Sequence, residues 1–170
     1  MATGFTIQRN ELSAPIKNFV AQAKPGERRK ILKAMGATFL SITQGNFNKA
    51  GAKYRPTPWA AKKDGKPATL KKTGALVQGL HLTSDDNTAT VATTDLPYAA
   101  IHQFGGRTKA HKITAGPGKA IPYAGGFYRS VNHPGSNIPP RPYFPVINGK
   151  LTPAAEALIL KAGERVIKKP

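Results

Sequence analysis

The chain has 170 residues, of which 39% are hydrophobic, and this suits one domain with a core of moderate size and extended arms. It carries 26 Lys and Arg against 8 Asp and Glu, a formal net charge of +18, so we expect an anionic partner: nucleic acid or an acidic protein surface. No cysteine is present, which excludes disulfides and thiolate metal sites. No stretch has the apolar length of a membrane span, and the first residues lack the pattern of a secretory signal, so we expect cytoplasmic synthesis and no membrane partner.

Residues 1–50 predict a helical N-terminal part. Apolar residues at helical spacing indicate one helix over 11–22 and a longer one over about 27–48, whose apolar stripe is Ile31, Met35, Phe39 and Ile42. Pro25 suits the start of the longer helix and Gly51 suits its end. Basic residues crowd its first turns and indicate either a solvated face or a docking face for an anionic surface: Arg28, Arg29, Lys30 and Lys33.

Residues 51–72 predict a basic loop, because proline, glycine and lysine dominate them. Trp59, the only tryptophan, lies inside this loop. It is suited either to stacking on a nucleic-acid base or to plugging the loop onto the body of the domain, and we favour the plug.

Residues 73–104 predict a β-hairpin followed by a short helix. Leu76, Leu80 and Leu82 share one parity, Asp85 to Asn87 form a polar turn, and an alternating stretch follows over 88–94. One face of this hairpin should pack on the long helix. Residues 98–104 then place Tyr98, Ile101 and His102 on one side of a helix that Gly105 and Gly106 end.

Residues 105–140 predict a long basic loop without a single acidic residue, and such loops are usually functional or become ordered against a partner. Residues 141–170 predict an edge strand, suited by its prolines, and a C-terminal helix over 153–168. The expected fold is therefore a single α+β domain: a small antiparallel sheet packed against the long helix and the C-terminal helix, with long extended loops.

The sequence offers no convincing catalytic or metal-binding arrangement, so we expect neither an enzyme nor a cofactor. The GPGKA string at 116–120 lacks two required positions of a phosphate-binding loop, because Ile113 and Ala120 stand there. The four histidines lack compact ligand spacing, and the few carboxylates fall in turns and helices. For His102 we expect a structural role in which its ring nitrogens meet backbone or loop partners.

Four strings occur in order along the chain: Trp59 in PTPWAA, Thr73-Gly74-Ala75-Leu76, Tyr98-Ala99 with His102-Gln103-Phe104-Gly105, and Arg141-Pro142-Tyr143-Phe144. This series resembles the phage virion morphogenesis family, whose members are called tail completion proteins in Mu-like and related contractile-tailed phages. One departure is Gly79, where relatives often carry serine.

The resemblance implies a structural protein of the head–tail junction of the virion, a tail completion, tail terminator or neck protein assembled in the host cytoplasm. It implies an α+β fold, a homo-oligomeric ring, by family a hexamer, and contacts with neighbouring neck, connector or tail-tube and sheath proteins. It implies no catalytic residues. The charge leaves two further possibilities open: DNA passing through the lumen, and a sequence-nonspecific nucleic-acid-binding protein as the alternative function.

Two groups of candidate residues follow. The residues expected to hold the fold together are Trp59, Leu76, Leu80, Tyr98, Ile101, His102, Phe104, Tyr143 and Phe144. The basic residues expected to contact partners or DNA are Lys62, Lys63, Lys66, Arg107, Lys109, Lys112, Lys119 and Arg129.

Overall fold

The structure is a computed structural model that describes residues 4–8, 20–48 and 53–168. Its first half contains β1 (Gly4–Gln8), α1 (Pro25–Gly45), α2 (Ala75–Gln78), β2 (Leu80–Ser84), β3 (Thr88–Thr93) and α3 (Ala99–Phe104). Six short strands follow: β4 (Gly106–Arg107), β5 (His111–Thr114), β6 (Ile121–Tyr123), β7 (Gly126–Tyr128), β8 (Ser130–His133) and β9 (Asn137–Ile138). The last elements are β10 (Val146–Ile147), β11 (Lys150–Leu151) and α4 (Pro153–Ile167), and the predicted α+β class is confirmed.

The main sheet is antiparallel with β3 between β1 and β2. The predicted hairpin is present, and its turn is held by Asp85, whose carboxylate accepts hydrogen bonds of 2.7 Å from the backbone N–H groups of Asn87 and Thr88. These bonds favour the charged carboxylate and lower the pKa of Asp85. β1 was not predicted from the sequence; it pairs with β3 so that Phe5 lies opposite Val91.

The long helix α1 packs between the hairpin and α4. Gly36 allows α1 to approach the sheet, since a Cβ there would lie 2.5 Å from Leu82 Cδ1 and 3.0 Å from the Ala89 Cβ. The predicted stripe forms the centre of the core together with residues from α4 and from the segment before β10: Ile31, Met35, Phe39, Ile42, Tyr143, Phe144, Ala155 and Ile159.

Several sequence-based boundaries change. α1 ends at Gly45, and Asn46 and Phe47 follow it as buried residues outside the helix. Leu76 is buried as predicted for a core residue but lies in the short helix α2 and not on a strand. The predicted helix over 11–22 lies outside the described residues except for 20–22, which are helical, and Gly51 also lies outside them.

The expectation of a long loop over 105–140 is wrong. Three antiparallel ladders form one hairpin, which we call the arm (residues 106–138): β4 pairs with β9 at its base, β5 with β8 in the middle, and β6 with β7 at its tip. The tip turn has positive φ at Ala124 and Gly125, as a two-residue hairpin turn of this hand requires. Glycine richness obscured the strands, because they are only two to four residues long.

The edge strand expected from residue 141 is also wrong. Residues 141–145 are buried without strand pairing and bend at Phe144 and Pro145, and the strands nearby are the two-residue β10 and β11. Prolines at 142 and 145 remove backbone donors from a ladder, and the N–H groups between them bond to a side chain instead.

Candidate interaction surfaces

Three of the four strings that carry the family resemblance, those with Trp59, Gln103 and Arg141, meet at one place, which we call the motif junction: residues 141–144 with the groups that bond them. Gln103, only 4% exposed, accepts two hydrogen bonds on its Oε1, each of 3.0 Å, from the backbone N–H groups of Tyr143 and Phe144. The Tyr143 carbonyl accepts a 2.8 Å bond from Asn46 Nδ2. A buried backbone segment without strand partners therefore has its polar groups satisfied by side chains from α3 and the end of α1.

Trp59 and Arg141 attach the loop over 53–72 to this junction. The indole Nε1 of Trp59 donates a 2.8 Å bond to the Pro142 carbonyl, and its ring packs edge-on against Phe47. In return, Arg141 donates from Nε and Nη2 to the carbonyls of Ala60 and Ala61, at 2.9 and 3.0 Å. The half-buried Trp59 is thus placed as a plug on the body, which leaves its ring covered where base stacking would need it open.

The Arg55 guanidinium lies over the Trp59 ring, 3.8 Å from its centroid, and donates a 2.7 Å bond to the Asn46 carbonyl. Partial burial lowers the pKa of Arg55. This cation–π contact covers the outer side of the plug.

His102 is half-buried on α3 and packs edge-on against Tyr98, with ring centroids 5.9 Å apart. Its backbone carbonyl accepts a 2.7 Å bond from the Arg141 N–H. The expectation that its ring nitrogens meet protein partners is wrong for Nδ1, which is buried without a hydrogen-bond partner among the described residues. Burial, and then the charge of Arg141, lower the pKa of His102.

The other residues expected to hold the fold together divide into two groups. Leu80, Tyr143 and Phe144 are buried, and burial raises the pKa of Tyr143. Ile101 is half-buried, whereas Tyr98 is 38% and Phe104 64% exposed. Phe104, expected to help hold the fold together, stands on the outer face of α3, because Ala99 and Gln103 form the inner face.

Phe104 instead lines an apolar groove of about 440 Å³ at the base of the arm. The groove is walled mainly by prolines and by the turn between β10 and β11, and its principal lining residues are Pro56, Phe104, Pro140, Pro142, Val146 and Ile147. None of its lining residues is charged, and Ile147 is 45% exposed. We call this feature the proline groove.

All eight predicted partner-contacting basic residues are exposed: Lys62, Lys63, Lys66, Arg107, Lys109, Lys112, Lys119 and Arg129. The structure divides them between two places. Three lie in the loop, where Lys62 Nζ is 3.7 Å from Asp64 Oδ2. Five lie on the arm, which has no acidic residue.

The arm tip was missed in the sequence. Tyr123, Phe127 and Tyr128 are 56%, 80% and 46% exposed, and no charged residue lies between Ala120 and Tyr128. The string IPYAGGFY carries the signal of a hairpin, with aromatic residues flanking a Gly-Gly pair. Gln103 and Asn46 were missed as well, because a buried acceptor or donor for a distant backbone leaves no local pattern.

Across residues 4–8, 20–48 and 53–168, no group of three or more histidine or acidic side chains is placed to hold a metal ion. In the same residues, no helix has the length and apolar character needed to cross a bilayer. Gly79, the departure from the family pattern, is explained locally, since a Cβ there would collide with the Thr94 hydroxyl and lie 3.0 Å from the Ala75 carbonyl oxygen.

The model of the phage virion morphogenesis family matches residues 9–164, which is most of the chain. This chain therefore belongs to that family, and the resemblance seen in its four strings is confirmed. Comparisons with curated proteins and with solved structures found no match. The family assigns the chain a structural or morphogenetic role in a phage virion.

Proposed function

We propose that this member of the phage virion morphogenesis family acts at the head–tail junction, where it assembles as a ring and joins the tail to the capsid. The observation that carries the proposal is the arm. It extends from the motif junction, displays five basic residues and three exposed aromatic rings, and has no acidic residue. Exposed aromatic rings beside basic side chains are typical of a surface that contacts a neighbouring molecule.

The partner most compatible with the arm is an acidic protein surface of a neighbouring neck, connector or tail protein. The arm alone contributes five positive charges, and the loop adds Lys62, Lys63 and Lys66 on the same chain. Opposite charge on a neighbouring ring would accelerate docking and set the orientation of the two rings. Genome passage, in contrast, favours a lumen that binds DNA only weakly.

Deletion of the gene from the phage or prophage that carries it tests the proposal. Electron microscopy should show filled heads and separate, complete-looking tails, and the wild-type gene supplied in trans should restore joined particles. A triple variant, Lys112→Glu, Lys119→Glu and Arg129→Glu, should fold normally, because these side chains are exposed, but restore joining poorly. Normally joined particles in the deletion would contradict the proposal.

The alternative function is sequence-nonspecific nucleic-acid binding. It is favoured by the interleaving of cations and exposed aromatic rings on the arm, which suits backbone contact together with base stacking. It predicts that affinity for duplex DNA falls steeply with salt, with a log–log slope near −0.9 per phosphate contact. Fluorescence anisotropy measured at several salt concentrations separates the two functions, since the junction role requires no more than weak DNA binding.

A further inference from the structure

Among the residues whose burial the structure describes, Phe127 is the most exposed of the large apolar side chains, at 80%. The register of the tip ladder places Pro122 opposite it, so these two residues form one face of the tip, and Tyr123 and Tyr128 belong to the other. The Tyr128 ring lies over Gly126, which leaves the Phe127 face as the protruding one. The tip is therefore an apolar projection on a chain that is otherwise strongly cationic.

The proline groove is the concave counterpart of this projection. It opens at the other end of the arm, beside Phe104 and Pro140, and none of its lining residues belongs to the tip. The three ladders follow one another from the base of the arm to its tip, and the shorter side of the hairpin, residues 126–138, would span about 40 Å if fully extended. The groove of a chain is therefore not occupied by the tip of the same chain.

We propose that the arm tip of one copy inserts Phe127 into the proline groove of the next copy, so that the ring is built from repeated tip-to-groove contacts. This inference deepens the proposed function and rests on its ring assembly. A projection at one place and a groove at another form a heterologous contact, which joins copies head to tail and closes into a ring when the rotation permits.

Charge favours a second copy as the occupant of the groove. Two chains of charge +18 repel each other over most of their surfaces, so they can approach closely only where the charge is absent. The tip between Ala120 and Tyr128 and the lining of the groove are both free of charged residues. An acidic protein or DNA would bind the basic side chains in the middle of the arm. Neither partner accounts for a groove whose lining carries no charge.

The first test measures association of the full chain by analytical ultracentrifugation. Phe127→Ser and Phe104→Ser should each weaken self-association about 10- to 100-fold, the effect of removing one buried aromatic ring. Ile167→Ser, on α4, is the matched control, since this apolar residue is 40% exposed and lies outside both surfaces. All three substitutions are at exposed positions, so folding should survive, as circular dichroism will report.

A mixture of the two variants distinguishes a head-to-tail contact from a symmetric one. Phe127→Ser keeps its groove and Phe104→Ser keeps its tip, so the mixture should recover heterodimers but no closed ring. Salt adds a second criterion: association should hold or strengthen from about 50 to about 500 mM, because screening reduces the repulsion between cationic copies.

The location of the contact is tested by photo-crosslinking from p-benzoylphenylalanine at position 127, which keeps an aromatic ring there. Mixed with isotope-labelled wild-type chain, it should crosslink to groove peptides of the other copy. A ring whose crosslinks lie elsewhere overturns the tip-to-groove contact and leaves ring assembly standing. A wild-type chain that stays monomeric overturns both, while the deletion phenotype still reports separately on the role at the head–tail junction.

Discussion

Gln103 is the residue on which the motif junction depends most directly. Its Oε1 accepts from two backbone N–H groups of a buried segment that has no strand partner, and the side chain is almost completely excluded from water. Gln103→Met keeps the length, the volume and the helix propensity of the side chain but removes the acceptor. The change therefore isolates the two hydrogen bonds from the packing around them.

The expected cost follows from what the two donors lose. A buried donor deprived of its acceptor costs about 1 to 3 kcal/mol, so two of them should lower the free energy of unfolding by about 2 to 6 kcal/mol. For a chain of this length, that corresponds to a melting temperature lower by roughly 4 to 24 °C. Gln44→Met, at an exposed position on α1, changes the same chemistry without a buried bond and should stay within about 0.5 kcal/mol of wild type.

Urea unfolding followed by far-UV circular dichroism measures this difference, with the emission of Trp59 as a second probe. Trp59 is the only tryptophan, and it bonds to the segment that Gln103 holds, so its emission reports on the junction itself. If Gln103→Met costs no more than the Gln44→Met control, the two bonds are not what stabilises the junction. In that case the two donors lose no more free energy in the variant than an exposed glutamine does.

Three further predictions concern the same region. Gly105→Ala should destabilise the chain by about 2 to 4 kcal/mol in thermal unfolding, because its φ of 71° and ψ of −178° suit glycine alone and a Cβ would lie 2.9 Å from Pro140 N. Gly116→Ala is the control, since a Cβ at Gly116 meets open space, and equal melting temperatures for the two variants would contradict the prediction. Trp59→Phe should cost about 0.5 to 1.5 kcal/mol in urea unfolding followed by circular dichroism, the contribution of its bond to the Pro142 carbonyl, and a neutral result would show that the plug acts through packing alone. Because the folded-state pKa of His102 is lowered, the contribution of His102 to stability is present above its unfolded-state pKa of about 6.5 and is lost as the pH falls toward the folded-state pKa. The free energy of unfolding of His102→Gln should therefore decline less than that of wild type between about pH 7 and about pH 5. Parallel declines would exclude this effect of His102.

The sequence predicted those parts of the fold whose signal is periodic and local. The stripe of Ile31, Met35, Phe39 and Ile42 identified α1, and the alternation before and after Asp85 identified the hairpin. Both patterns repeat over several turns or residue pairs, so they survive single exceptions. The same reasoning failed for Leu76, because a single helical turn in α2 is too short to show its own period.

The arm could not be predicted in the same way. Its ladders are two to four residues long, and positive φ angles at Gly118, Gly125 and Gly135 turn the chain between and beside them. Glycines at this density predict a loop, whereas the strands of the arm lie between them. The expectation for Phe104 failed for a different reason. The six-residue helix α3 buries a single face, and Ala99 and Gln103 occupy that face.

The motif junction also explains why the recognisable strings flank the arm and do not include it. The arm leaves the body at Gly105 and returns at Pro140, and a Cβ on Gly105 would lie within 3.0 Å of Pro140 and of the Ile138 carbonyl. Directly beyond these residues, Gln103 and Arg141 are fixed by buried hydrogen bonds. The junction therefore fixes the two ends of the arm on the body of the domain, and the ladders between those ends carry the exposed aromatic tip.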